Sequence, residues 1–133
     1  MGFRAAFFDR DGTLTRGDPI KMKWRNDTIE NWSGRPFVMD YDKTMMLFDR
    51  AGYPKDGLKS IDEEIKFLMK YYRCLLEGEG IRNNITEKAR ALHEGLWLQD
   101  RILYPEVLEV LDYFKARGFK LGVISDTSPS LRL

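Results

Sequence analysis

The sequence has a single cysteine, Cys74, among its 133 residues. No intramolecular disulfide can form, nor any multi-cysteine metal cluster, which fits a reducing compartment. Its one histidine, His93, has no cysteine or histidine partner with which to hold a metal. Charge of one sign is lacking too: 22 Lys and Arg stand against 21 Asp and Glu, a net +1. A nucleic-acid partner is ordinarily met by a strongly basic surface, so none is expected. No apolar run approaches the roughly 20 residues that cross a bilayer. The start, Met1-Gly2-Phe3-Arg4-Ala5-Ala6, has no basic region followed by a long apolar core, so it does not read as a signal peptide. Ala6 stands where a myristoylation motif after Gly2 wants Ser or Thr. The expectation is a cytoplasmic protein without a membrane partner. What is present, 43% hydrophobic and 32% charged residues, is ordinary for a globular domain.

Two short apolar runs read as buried strands. One is residues 3–9, Phe-Arg-Ala-Ala-Phe-Phe-Asp, and the other is residues 119–125, Phe-Lys-Leu-Gly-Val-Ile-Ser. Helical patterns lie between them. The strongest starts at Ser60, with Glu63 completing a capping box, and carries Ile61, Ile65, Leu68, Met69, Tyr72, Leu75 and Leu76 on one face until Gly78 or Gly80. A shorter helix spans Tyr41 to Ala51 on Met45, Leu47 and Phe48. Another begins at Thr86 with Ala89, Leu92, Leu96 and Trp97. The last has Pro105 in its first turn, Val107, Val110, Leu111 and Phe114 as its stripe, and Gly118 as its end. A helix over 105–117 feeding the strand 119–125 is half of a parallel α/β unit, and strand 3–9 is its natural neighbour. Residues from about 15 to 100 hold enough helix for a small bundle of their own.

Asp9 closes the first strand, and Asp11 follows in a turn ending at Gly12. Ligands of open α/β sheets bind beyond the carboxyl ends of the strands, where both carboxylates would project. A carboxylate can attack phosphorus to form an aspartyl-phosphate, and a second acid can protonate the leaving oxygen and then deprotonate water. Oxygen donors from such a loop suit Mg²⁺. The bland alternative is a solvated Asp-Gly turn. Against it, Thr13-Leu14-Thr15-Arg16-Gly17-Asp18-Pro19 does not alternate as a returning hairpin strand would, and the second strand also ends in a residue with phosphate chemistry, Ser125.

Phe7-Phe8-Asp9-Arg10-Asp11-Gly12-Thr13-Leu14-Thr15 resembles the Asp-x-Asp-x-Thr signature of the haloacid dehalogenase superfamily. Tyr104-Pro105 through Gly118, with Leu121-Gly122-Val123-Ile124-Ser125-Asp126, resembles its second motif. The resemblance implies an α/β fold, a partial Rossmannoid parallel sheet formed by residues 1–14 and 101–133, with residues 15–100 inserted as a helical cap. It implies Asp9 as nucleophile and Mg²⁺ ligand. Asp11 would be the general acid/base, with its backbone carbonyl on the metal. Thr13 would hold the loop, and Ser125 and the backbone amide of Asp126 would bind the phosphoryl group. An acid at position 11 belongs to the phosphatase and phosphomutase branches, so hydrolysis of a small phosphorylated metabolite is the leading expectation and a phosphomutase its nearest rival.

The same resemblance expects a third motif with a Lys or Arg, and a fourth with acids completing the metal site, both after the second motif. The sequence ends at Leu133 without them. The chain therefore reads as truncated after the second motif, weakly active or inactive alone, and inclined to self-associate through its incomplete core; a non-catalytic fragment or binding module is the alternative. Lys21, Lys23, Trp24, Arg25, Trp32 and Arg35 read as cap packing and solvated charge in preference to an anion-reading surface. His93 reads as a surface or boundary residue, and Cys74 as a small packing residue.

Overall fold

The computed structural model describes residues 2–97, 101–125 and 129. In chain order the elements are β1 (Ala5–Phe8), β2 (Thr15–Gly17), α1 (Pro19–Ser33), α2 (Tyr41–Arg50), α3 (Ile61–Gly78), α4 (Ile85–Leu96), β3 (Arg101–Leu103), α5 (Val107–Ala116) and β4 (Lys120–Val123). They form two compact units. One comprises Met1–Asp18 and Arg101–Thr127, the other Pro19–Asp100 and Ser128–Leu133.

In the first unit β1 and β4 pair in parallel, Ala5 opposite Lys120 and Phe8 opposite Val123. Parallel strands need a crossover, and α5 is the last leg of it, packed against β4. Its Phe114 ring meets Phe8 edge-on at 5.8 Å and Phe119 at 5.2 Å. The sequence pattern gave α5 an apolar stripe. In the structure Val107 is buried and Val110 is 39% exposed, because only two strands among the described residues stand beside the helix. Gly122 lies directly opposite Phe7, and a Cβ there would come within 2.8 Å of that ring, so the position has to be glycine for Phe7 to lie over it.

Two strands appear that no sequence pattern announces. β2 and β3 pair antiparallel, Thr15 opposite Leu103 and Gly17 opposite Arg101. At three residues each they are too short for alternation to show. Beyond them the Tyr104 amide donates to the Leu14 carbonyl at 3.1 Å, tying the start of the α5 segment to the turn after Asp11.

The second unit is helical. Ser60 caps α3, its hydroxyl accepting from the Glu63 amide at 3.2 Å, and Glu63 answers by accepting from the Lys59 amide at 2.8 Å. The core gathers Ile29, Leu47, Leu75, Leu76 and Leu92, each below 2% exposed, with an aromatic group of Phe48, Tyr53, Phe67 and Tyr71 beside it. On α3 the buried arc is wider than one stripe and takes in Glu64, Phe67 and Tyr71, because α2 and α4 both pack against it. Met45, a sequence-level anchor of α2, is exposed. α1 escapes the periodicity test because only Ile29 of its 15 residues is buried. Its Trp24 lies over Gly95 of α4, where a Cβ would meet the ring at 2.3 Å. Among the described residues, no helix is long and apolar enough to cross a membrane.

Candidate active site

Asp9 follows β1 directly, and Ser125 stands two residues beyond β4. The strands are adjacent and parallel, and the ladder continues one step further, with the Ile124 amide donating to the Phe8 carbonyl at 3.0 Å. Their carboxyl ends therefore deliver a carboxylate and a hydroxyl to the same edge of the sheet. Asp9 is exposed there, and its Oδ1 accepts from the Arg10 amide at 2.8 Å. The Ser125 hydroxyl oxygen is buried and has no hydrogen-bond partner among the described residues. A buried hydroxyl without a partner carries a desolvation cost that an incoming oxyanion would remove. Asp126 lies outside the described residues.

The loop after Asp9 is held by its own backbone. The Leu14 and Thr15 amides both donate to the Arg10 carbonyl, at 3.0 and 2.9 Å, and the Gly12 amide donates to the Thr15 carbonyl at 2.9 Å. Gly12 has a φ of 78°, a left-handed conformation that favours glycine and lets the chain turn beneath Asp11. Thr13 is exposed in this turn. The hydroxyl seen tying the loop is that of Thr15, which donates to the Arg10 carbonyl at 3.2 Å and to Asp11 Oδ1 at 3.4 Å.

Asp11 is clamped between two guanidinium groups. Arg10 Nη2 approaches Oδ1 at 2.9 Å and donates to Oδ2 at 3.0 Å, and Arg101 Nε stands 3.1 Å from Oδ1. Arg101 also donates to the Thr15 hydroxyl and to the Thr15 carbonyl, each at 2.9 Å. It joins the acid to the β2–β3 ribbon. Sequence reading missed both Arg101 and Thr15 as site residues, because their meeting with Asp11 depends on a pairing that joins residues far apart in the chain.

The donor chemistry at this edge fits a hard cation in kind. The Asp9 carboxylate and the Asp11 backbone carbonyl are oxygen donors of the type Mg²⁺ takes. No group of three or more His, Cys, Asp or Glu side chains converges on one point among the described residues.

The family model for haloacid dehalogenase-like hydrolases matches residues 3–132. The chain belongs to this family. The match runs through the Asp9 loop, the helical unit and the Ser125 strand alike. No curated protein matches the chain significantly. Among solved structures it is similar to a predicted phosphoglycolate phosphatase from Haemophilus somnus 129pt, at 16% identity and a TM-score of 0.46. The alignment covers 96% of this chain and 53% of that one, so the chain spans about half the length of that protein.

Several of the other sequence candidates are occupied. Lys23 pairs with Asp27, Arg35 with Glu79, and Lys88 lies 5.5 Å from the Trp32 ring centroid, which is the packing and solvated-charge reading of this region. Cys74 packs partly buried against the helical core. His93 departs from its surface reading. It is 6% exposed, and its ring lies 5.3 Å from that of Trp97. Burial lowers its pKa from the ordinary 6.5, with Glu94 and Glu64 acting weakly in the opposite direction.

Proposed function

We propose that the intact hydrolase releases phosphate from a small phosphorylated metabolite through an aspartyl-phosphate on Asp9, with Mg²⁺ as cofactor. The supporting observation is that Asp9 and Ser125 follow the carboxyl ends of two adjacent parallel strands. On this reading Asp9 attacks phosphorus, and a new P–O bond forms as the bond to the leaving alkoxide breaks. Asp11 gives that oxygen its proton. Water then attacks the phosphoryl group, Asp11 takes the water's proton, and the Asp9 carboxylate is released unchanged.

The two oxygens of Asp11 are unequal. Oδ1 faces Arg101 and Thr15 as well as Arg10, whereas Oδ2 has Arg10 alone among the described residues. We assign the transferred proton to Oδ2. Ser125, and in the same reading Thr13 and Asp126, would bind phosphoryl oxygens or shape the loop that does. The Asp9 carboxylate and the Asp11 carbonyl would be two of the Mg²⁺ ligands. The cation supplies positive charge that offsets repulsion between carboxylate and phosphate. The inserted helical residues would serve as the cap that selects the substrate and excludes water. A cytoplasmic setting belongs to the same proposal.

The test is Mg²⁺-dependent phosphate release from a panel of small phosphomonoesters. Asp9→Asn is expected to abolish it. Asp11→Asn is expected to slow turnover by about 10²–10⁴-fold, while still forming a phosphoenzyme from p-nitrophenyl phosphate, whose leaving group needs no proton. Full activity of Asp9→Asn would contradict the reading.

A further inference from the structure

The near-neutral charge of the whole chain conceals a local excess in the helical unit. Two adjoining cavities, each of about 430 Å³, open between the end of α2, the loop after it and one face of α3. They share Ala51, Gly52 and Lys70. Arg50, Lys55, Lys59, Lys66, Lys70 and Arg73 line them, against Asp56, Glu63 and Glu77. Six cations against three acids is an excess of three, in a chain whose total excess is one.

Most of these cations are uncommitted. Lys59 donates to the Asp56 carbonyl at 2.7 Å, but Arg50, Lys55, Lys66, Lys70 and Arg73 form no ion pair among the described residues. On the acidic side, Glu63 is already engaged by the Lys59 amide at the start of α3. Elsewhere in the unit Lys23 and Lys43 are ion-paired, with Asp27 and Glu79, each at 2.5 Å. Asp56 and Glu77 form no ion pair among the described residues, so the lining keeps a net positive excess, and an open cleft with such an excess concentrates anions. The walls here include Leu58 and Phe67, both buried. The volumes lie within the range of small-molecule pockets.

The spacing limits what fits. Lys66, Lys70 and Arg73 follow the four-then-three rhythm of one helix face. At about 1.5 Å rise per residue they extend over about 10 Å. Spread over that length, an excess of three positive charges is more than one phosphate dianion neutralises, and it matches a molecule with two linked phosphates.

We propose that this cleft binds a small molecule carrying two or more phosphate groups, independently of the Asp9 chemistry. The probe is inorganic pyrophosphate, added to the isotope-labelled full chain without Mg²⁺ and followed by amide NMR shifts. Shifts are expected at Gly52, Gly57, Lys66 and Lys70, with orthophosphate binding at least about tenfold more weakly. The double variant Lys66→Glu/Lys70→Glu, both exposed positions, is expected to weaken pyrophosphate binding about tenfold or more. Arg82→Glu/Arg90→Glu makes the same charge change on exposed sites away from the cleft and is expected to leave binding within about twofold. Shifts confined to residues 9–13, equal affinity for orthophosphate, equal losses in the two double variants, or no shifts at all would each overturn the proposal. A 1,3-bisphosphorylated sugar tested beside pyrophosphate distinguishes an organic from an inorganic source of the paired phosphates.

Discussion

Asp11 sits among more partners than a solvated turn acid would have. Arg10 and Arg101 hold it from two sides, and Thr15 fixes the Arg101 head by accepting from its Nε and offering its carbonyl to Nη2. At 41% side-chain exposure of Asp11 these ion pairs contribute little to folding, and on the proposed mechanism their use is orientation. Arg101→Ala removes the contact to Oδ1 while leaving the loop's backbone bonds intact. We expect kcat to fall about tenfold, the worth of about 1.4 kcal/mol of lost positioning, with KM and melting temperature nearly unchanged. A large rise in KM would instead assign Arg101 to substrate binding. Asp9 and Asp11 could be singled out as candidates in the sequence because each lies within three residues of the end of β1, where local chemistry is enough. Arg101 was not, since its role exists only once β2 and β3 pair.

At the scale of elements, legibility follows burial. α3 could be read from its Ser60–Glu63 cap and its apolar spacing, and Ser60→Ala is expected to destabilise the helical unit by about 1 kcal/mol in urea unfolding. α1 could not, because it touches the core through little more than Ile29 and the partly buried Met22 and Trp32. α4 carries His93, which the sequence reading placed at the surface or boundary. A buried His93 favours its neutral form, so the folded pKa lies below the ordinary 6.5 of the unfolded chain. The stabilisation is thus complete above 6.5 and is lost as pH falls through the folded value. We expect the wild-type melting temperature to drop between pH 7.5 and pH 5.5, and His93→Gln to drop less over the same interval. Equal slopes would show that carboxylates alone govern the acid limb.

At the scale of the molecule, the first unit exposes much of its sheet. Phe7 is 65% exposed, Val123 58% and Ile124 67%, on a parallel pair whose outer edges carry no further strand among the described residues. Open edges and apolar faces of this kind promote association. We expect the 133-residue chain to show a sedimentation coefficient that rises with concentration, and Val123→Lys to suppress the rise. A coefficient independent of concentration would set that expectation aside. The expectation of an α/β fold with a parallel sheet and a helical insertion needed only strand order and helix spacing, and the two compact units have that content. The short β2–β3 ribbon was beyond reach because three-residue strands carry no period.

The central claim is that Asp9 carries the phosphoryl group. The most direct measurement is to quench the purified intact hydrolase during turnover of p-nitrophenyl phosphate, reduce the acyl phosphate with borohydride and map the modified peptide. Reduction of an aspartyl-phosphate leaves homoserine in its place, and we predict it at position 9 alone, absent from Asp9→Asn. Homoserine at another aspartate, or phosphate release continuing in Asp9→Asn, would contradict the account.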